Sequence, residues 1–454
     1  MVNARRTSAE LHVTAKGSAD RLTKKAPLAF EPLSQPDELT PFVLVDSKKT
    51  FQTMEGIGGA LTDSSAETYA KMPAATQKEI LTAYFDDEKG IGYSFCRTNI
   101  HSCDFSSDVY SYDDVAGDTE LLNFSIEHDR KFRLPFIKAA MATGKTPFTL
   151  FASPWSPPAW MKTNGDMLHG GRLKQEYRDA WASYYGRFVK AYEAEGVPIW
   201  GLSVQNEPMA VQSWQSCIFT GEEERDFVRD HLGPALERDN LCRLKLMIWD
   251  HNRGLLYARA KVVYDDPEAS KYVWGTCFHW YVGDHFDQVR QTYEAWPDKK
   301  LVFSEGCPEL YNAKRVNEWL WGEKYGLAML MDISNGTSAW TDWNILLDEQ
   351  GGPNHVGNFC YAPIHADRKT GKLTYMNSFY YIGHFSKFVR PGDKRVATVT
   401  DDDRLQAVGF VKPDGKVAVV VLNLSEDTVP FSFWIDGQTA KTTSPAHSIM
   451  TLVY

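Results

Sequence analysis

Two glutamates end apolar runs at turn signals: Glu207 in Ile199-Trp-Gly-Leu-Ser-Val-Gln-Asn-Glu-Pro208, and Glu305 in Lys300-Leu-Val-Phe-Ser-Glu-Gly306. Glycoside hydrolysis requires such a pair, one carboxyl protonated to release the leaving group and one ionised to attack or stabilise the anomeric carbon. A lone glutamate at a strand end is more often a solvated or ion-paired terminus. The neighbouring residues argue against that here. Asn206 sets an amide beside Glu207, and Pro208 turns the chain away directly after the run.

Both glutamates need a scaffold that aims them at one point. From Phe51 to about Asn344 short apolar runs alternate with longer amphipathic stretches, the pattern of repeated βα units and a parallel sheet. Eight runs read as strands: 53–60, 94–101, 146–155, 199–207, 244–250, 273–281, 301–305 and 337–344. Helical patterns lie between them at 65–72, 127–143, 175–195, 222–238 and 315–333. Eight such units close most naturally into a (β/α)8 barrel, whose active site forms at the C-terminal ends of the strands. The polar and aromatic residues gather at those ends: Arg97, Asp104, Trp155, Asn206, Glu207, Asp250, His279, Tyr281, Glu305, Trp343 and Asn344. Strands four and seven face each other across a barrel, and retaining chemistry predicts about 5–5.5 Å between their carboxyls.

The tail reads differently. Runs at 405–411, 416–423, 429–435 and 448–453 have strand composition, and Pro413-Asp414-Gly415 supplies a hairpin turn. Runs at 11–15 and 41–45 precede the barrel and are expected to complete that antiparallel module. The expected division is N-terminal strands in 1–50, a catalytic barrel in 51–389 and a β-sandwich in 390–454.

Composition narrows the function classes. A net charge of −10 offers nothing to phosphate backbones, so nucleic acid is not expected as a partner. No apolar run reaches the roughly 18 residues of a transmembrane segment. The 14 tryptophans supply core and, in part, flat platforms for sugar rings. The seven cysteines (Cys96, Cys103, Cys217, Cys242, Cys277, Cys307 and Cys360) form no CxxC pair, and Cys103 and Cys307 read as packed, inert thiols. His251 and His279 belong to no HExxH or Cys-His set, so no metal is expected. Gly56-Ile-Gly-Gly-Ala60 lacks the spacing of a dinucleotide fingerprint, so no organic cofactor is expected either. Residues 1–16 lack an apolar stretch, and the expectation is a secreted or periplasmic protein whose leader is not in this chain.

At this point the chain resembles glycoside hydrolase family 30, the glucosylceramidase and β-1,6-glucanase family. The resemblance is carried by Gly56-Ile-Gly-Gly-Ala60, Ser102-Cys-Asp-Phe-Ser106, Ala152-Ser-Pro-Trp-Ser156, Gln205-Asn-Glu-Pro208, Phe278-His-Trp-Tyr281, Trp340-Thr-Asp-Trp-Asn344 and Gly351-Gly-Pro-Asn354, in that order. It implies Glu207 as acid/base, Glu305 as nucleophile and a sandwich built from both chain ends. It further implies that Asp104 and Trp155 hold sugar hydroxyls, Asn206 meets the 2-hydroxyl and Trp343 floors the glucose pocket. His279 is grouped with the substrate-binding residues. Arg97 is expected to keep Glu305 ionised, Tyr281 to donate to it, and the ionised Glu305 to raise the pKa of Glu207. Loops 211–219, 282–287, 308–316 and 351–367 mix polar residues with Trp214, Phe286, Tyr311, His355 and Tyr361, a lining suited to further sugars. The expected activity is therefore retaining hydrolysis of β-1,6-glucan or β-glucosides. Glucosylceramide is the alternative substrate, and a silent carbohydrate-binding protein or a metal-dependent hydrolase the rival classes.

Overall fold

A computed structural model describes residues 7–33 and 38–454. The first six residues of the stretch read for a leader lie outside the described residues. Eight strands close a parallel barrel in sequence order: β1 (Gly56–Ala60), β2 (Phe95–Ile100), β3 (Thr149–Pro154), β4 (Gly201–Ser203), β5 (Lys245–Asn252), β6 (Val273–His279), β7 (Lys300–Glu305) and β8 (Thr337–Asn344). Each is buried on both faces, which explains why these strands read as nearly continuous apolar runs. Phe95, Phe151, Met247, Cys277, Val302 and Ala339 fill one layer of the barrel interior.

Five strands (β1, β2, β3, β4 and β6) are shorter than their sequence runs, β3 and β4 the most. β3 begins at Thr149, after a turn at 142–143 and a bend at 144–146 that includes Gly144. β4 leaves the ladder after Ser203, and residues 204–207 are held by single backbone bonds: Val204 N–H to Met247 O at 3.0 Å, Asn206 N–H to Pro154 O at 2.8 Å and Glu207 N–H to Asp250 O at 3.0 Å. The 222–238 helical pattern is one run broken in the middle. Gly221–Phe227 opens on a capping box between Thr220 and Glu223, residues 228–232 widen into a π turn, and Gly233–Arg238 follows. Pro234 has no N–H to give the preceding turn, a physical reason for the widening there.

The second layer joins both chain ends. Ser8–Ala15 pairs antiparallel with Ser448–Val453, and Phe42–Thr53 lies between Lys394–Thr400 and Val429–Ile435. Phe42–Thr53 is far longer than the run expected at 41–45, because its second half is solvated and reads as polar. Lys394–Thr400 and Gln438–Ser444 escaped the sequence reading for the same reason. The layers are bolted by buried polar groups: Gln52 donates to Ile333 O at 2.6 Å and Thr337 O at 3.0 Å, and His384 bridges Thr14 and Thr451 at 2.9 Å each. Among the described residues no helix is long and apolar enough to cross a membrane.

Candidate active site

Glu305 is the last residue of β7, and Glu207 stands four residues beyond β4 with φ +48°. That left-handed backbone is uncommon for a residue with a side chain and turns the carboxyl back over the barrel. One carboxylate oxygen of Glu207 and one of Glu305 lie within 4.8 Å of each other. With Asp104, Trp155, Asn206, Tyr281 and Trp343 they line a cavity of about 560 Å³.

Beneath the cavity Arg97 spends all of its donors. Its Nε donates to Ser153 at 3.0 Å, Nη1 to Glu305 at 2.6 Å and Ser304 O at 3.3 Å, and Nη2 to Asn206 and Asp250 at 2.8 Å each. Tyr281 donates its hydroxyl to the other Glu305 oxygen at 2.9 Å. Asp250 is the hub of the floor, accepting also from Ser203, from Ser304 at 2.6 Å and from His279 Nε2 at 2.9 Å. Against the cost of burial, Arg97 and His279 hold its carboxyl well below the usual carboxylate range.

His279 completes the line with Nδ1 3.2 Å from Glu207. Burial opposes its charge, but Glu305, Asp250 and Glu207 raise it to about 9, so the imidazolium donates from both nitrogens. On Glu207 burial is outweighed by that hydrogen bond, which holds the carboxyl below its usual value. Burial raises Glu305, opposed by His279 and Arg97. The sequence reading has Glu305 raising Glu207; a histidine supplied by a different strand reverses that direction.

Asp104 accepts from Asn358 at 3.2 Å through one oxygen, while its other oxygen is buried without a hydrogen-bond partner among the described residues. Burial and the charges of Glu305 and Glu207 push this carboxyl well up. A buried orphan acceptor facing a cavity suits a ligand hydroxyl. Trp155 and Trp343 stack at 5.2 Å and 23°, with the Arg97 guanidinium 4.7 Å from Trp155.

Seven of the nine residues read from sequence thus face the cavity, and two do not. His279, grouped with the substrate contacts, is fully buried and touches carboxylates instead. Arg97 lies in the floor, as an orienting residue should. Ser203, Ser304 and Asn358 were missed. The two serines point inward at the alternating positions of β4 and β7, a readable signal, whereas nothing local marks Asn358. Among the loop residues read as sugar platforms, only Trp214 lines the cavity. Phe286 starts a helix and stacks on Arg253, Tyr361 is buried against Trp321, and His355 is 3.1 Å from Gln215. Met209, Ala210, Leu255 and Val282 line the mouth in their place.

Glu207, His279 and Glu305 are close enough together to hold a metal ion. Their donor atoms are already engaged, however, His279 by Glu207 and Asp250, and Glu305 by Arg97 and Tyr281. The permanent cation of Arg97 does the charge balancing that a metal would otherwise supply.

Facing carboxyls above a charged floor, at the C-terminal mouth of a (β/α)8 barrel with a β-sandwich, define a barrel glycosidase. The model of the glycosyl hydrolase family 30 TIM-barrel domain matches residues 54–389, and that of the family 30 beta sandwich domain matches 392–452. The chain belongs to glycosyl hydrolase family 30 and is a glycoside hydrolase. It is 38% identical to the lysosomal acid glucosylceramidase of Mus musculus over 90% of this chain and 82% of that protein. It is 27% identical to an endo-1,6-beta-D-glucanase of Neurospora crassa over 82% of this chain and 78% of that protein. Among solved structures, SrfJ from Salmonella typhimurium superposes with a TM-score of 0.94 at 34% identity, covering 98% of this chain and 99% of its own.

Proposed function

We propose that the chain hydrolyses β-D-glucosides with retention, Glu305 attacking the anomeric carbon and Glu207 serving as acid and then base. The carboxyl approach within 4.8 Å supports double displacement, since an inverting pair leaves room for a water at about 6.5–9.5 Å. Two carboxyls this close share one proton. Burial raises Glu305 against Arg97 and His279 while His279 holds Glu207 low, yet Arg97 and Tyr281 each donate to a Glu305 oxygen, an arrangement that suits the anion a nucleophile must be. The proton then sits on the Glu207 oxygen that His279 does not occupy. Asp104, Trp155, Asn206 and Trp343 hold the glucose in this reading, with 51–389 as the catalytic unit and 390–454 plus strands from 1–50 as its sandwich. The reading extends to a secreted or periplasmic location, tested by assaying cell fractions.

The observation that carries the leaving group is the lip. Met209 is 49% exposed, Leu255 43% and Val282 61%, and all three line the cavity mouth. Exposed Val211, Leu310 and Phe359 adjoin lining residues in the chain. An apolar collar around a polar glucose pocket suits an amphipathic glucoside of the glucosylceramide kind. The higher identity to the mouse glucosylceramidase than to the fungal glucanase supports the same choice. Trp214 on the cavity wall favours a second reading, a stacked second glucose of a β-1,6-glucan. The deciding measurement is kcat/KM on detergent-dispersed glucosylceramide against β-1,6-gluco-oligosaccharides. Preference for the lipid is expected, and preference for the oligosaccharides would overturn the apolar reading. Proton NMR of early product should show β-glucose first; the α anomer would overturn retention.

A further inference from the structure

Past β7 the chain runs antiparallel to the segment that brings Asn358 to Asp104. Glu309 is bridged to Cys360, Tyr361 N–H donates to Pro308 O at 3.0 Å, and Tyr311 N–H to Phe359 O at 3.0 Å. This short ladder fixes the Glu309 backbone, and its side chain lines the same cavity as Glu207 and Glu305. Among the described residues no hydrogen bond or ion pair engages its carboxylate. Lys324, the cation that acts on it, stands over the Trp280 ring at 4.5 Å. Burial pushes the Glu309 carboxyl up, opposed by Lys324 and reinforced by the charge of Glu207.

Glu309 is solvent-exposed where it lines the cavity alongside the aliphatic Met209, Leu255 and Val282, so among the described residues its carboxylate has water rather than protein for a partner. Such a group mismatches a purely hydrocarbon leaving group, because it loses water and gains nothing; a cation in the same place gains a charge-assisted hydrogen bond. We propose that Glu309 is a specificity-determining residue that receives an ammonium carried by the leaving group. Glucosides of amphipathic amines are then cleaved in preference to neutral glucosides of equal chain length. The inference rests on the reading above for which part of the substrate fills the mouth.

The test uses two matched pairs, β-glucosylsphingosine with its N-acyl form, and 2-aminohexyl with hexyl β-D-glucoside. For the wild-type protein kcat/KM should favour the amine roughly tenfold or more in each pair, mainly through KM, and added salt should shrink the ratio. In Glu309→Gln the ratio should fall toward one, and in Glu309→Lys below one. An unchanged ratio in Glu309→Gln overturns the proposal. So does an equal loss on both members of a pair together with a lower melting temperature, the mark of a structural partner for Lys324. If the long-chain pair is refused while β-1,6-gluco-oligosaccharides are cleaved, the apolar reading of the mouth fails. The hexyl pair, short enough to need no collar, then still decides the role of Glu309 by itself.

Discussion

Two fully buried arginines stand on the barrel and are used in opposite ways. Arg253 gives Nε to one Asp332 oxygen at 2.8 Å and Nη2 to the other at 2.5 Å, inside a sleeve of Phe278, Phe286 and Phe303. Its charge is consumed by a single carboxylate. Arg97 spreads its donors over Ser153, Ser304, Glu305, Asn206 and Asp250, so Glu305 takes only one of them and keeps a face toward the cavity. The same guanidinium chemistry builds architecture where it is closed on one carboxylate, and a reactive floor where it is divided.

The contrast is sharpest at the carboxylates the two arginines hold. Glu305→Gln should remove turnover of every glucoside, by a factor on the order of 10⁶, the scale on which loss of a nucleophile leaves only binding and electrostatics. Fold and sugar binding should persist, since Arg97 can donate to the amide oxygen while the Tyr281 hydroxyl accepts from the amide nitrogen; calorimetry with a glucose analogue checks this. Residual activity within about tenfold of wild type would mean Glu305 is one more structural acceptor.

Glu207→Ala should cost about 10²- to 10⁴-fold on substrates with poor leaving groups. An activated aryl glucoside needs no protonation in the first step, so there the glycosyl-enzyme should accumulate until azide intercepts it. Intact-protein mass spectrometry during turnover reads that intermediate directly. Equal losses on activated and natural substrates would break the assignment of distinct roles to the two glutamates.

On the architectural side, Asp332→Ala leaves the Arg253 cation unpaired in an aromatic sleeve, which should cost about 3–5 kcal/mol of stability. Below the transition temperature KM for an aryl glucoside should stay within about twofold. A changed KM with unchanged melting would show that this pair, too, reaches the cavity.

Much of this was legible in the chain because a parallel barrel writes its strands as apolar runs and its chemistry at their ends. Glu207 and Glu305 are recognisable for that reason, and Asp104, Trp155 and Trp343 through the motifs around them. Partners joined only by closure of the barrel were not legible. His279 looked like a substrate contact because it ends β6 at the mouth, yet closure of the barrel delivers it to Asp250 and Glu207. The aromatics of loops 211–219, 282–287, 308–316 and 351–367 looked like platforms, but four of the five named loop residues do not line the cavity, and exposed aliphatics that no periodicity marks form the lip. Glu309 lies in the same blind region, its position set by a single bridge to Cys360.

The smallest effect concerns His279, the cation of the divided floor that can lose its charge. Its folded value is raised to about 9 from an ordinary 6.5. The folded protein therefore keeps a proton that the unfolded chain releases as pH rises past that ordinary value. The associated stability is fully present below pH 6.5 and is lost as pH climbs through about 9. His128 and His447 are also raised, so the diagnostic is a difference between proteins. Melting temperature across this window should fall more for wild type than for His279→Gln, which has no proton to lose. Asp332→Ala keeps His279 and its carboxylate partners, so it should track the wild-type slope from a lower starting point. Parallel slopes for wild type and His279→Gln would mean that His279 sits neutral between its carboxylates, and that the floor under Glu207 is held by hydrogen bonds alone.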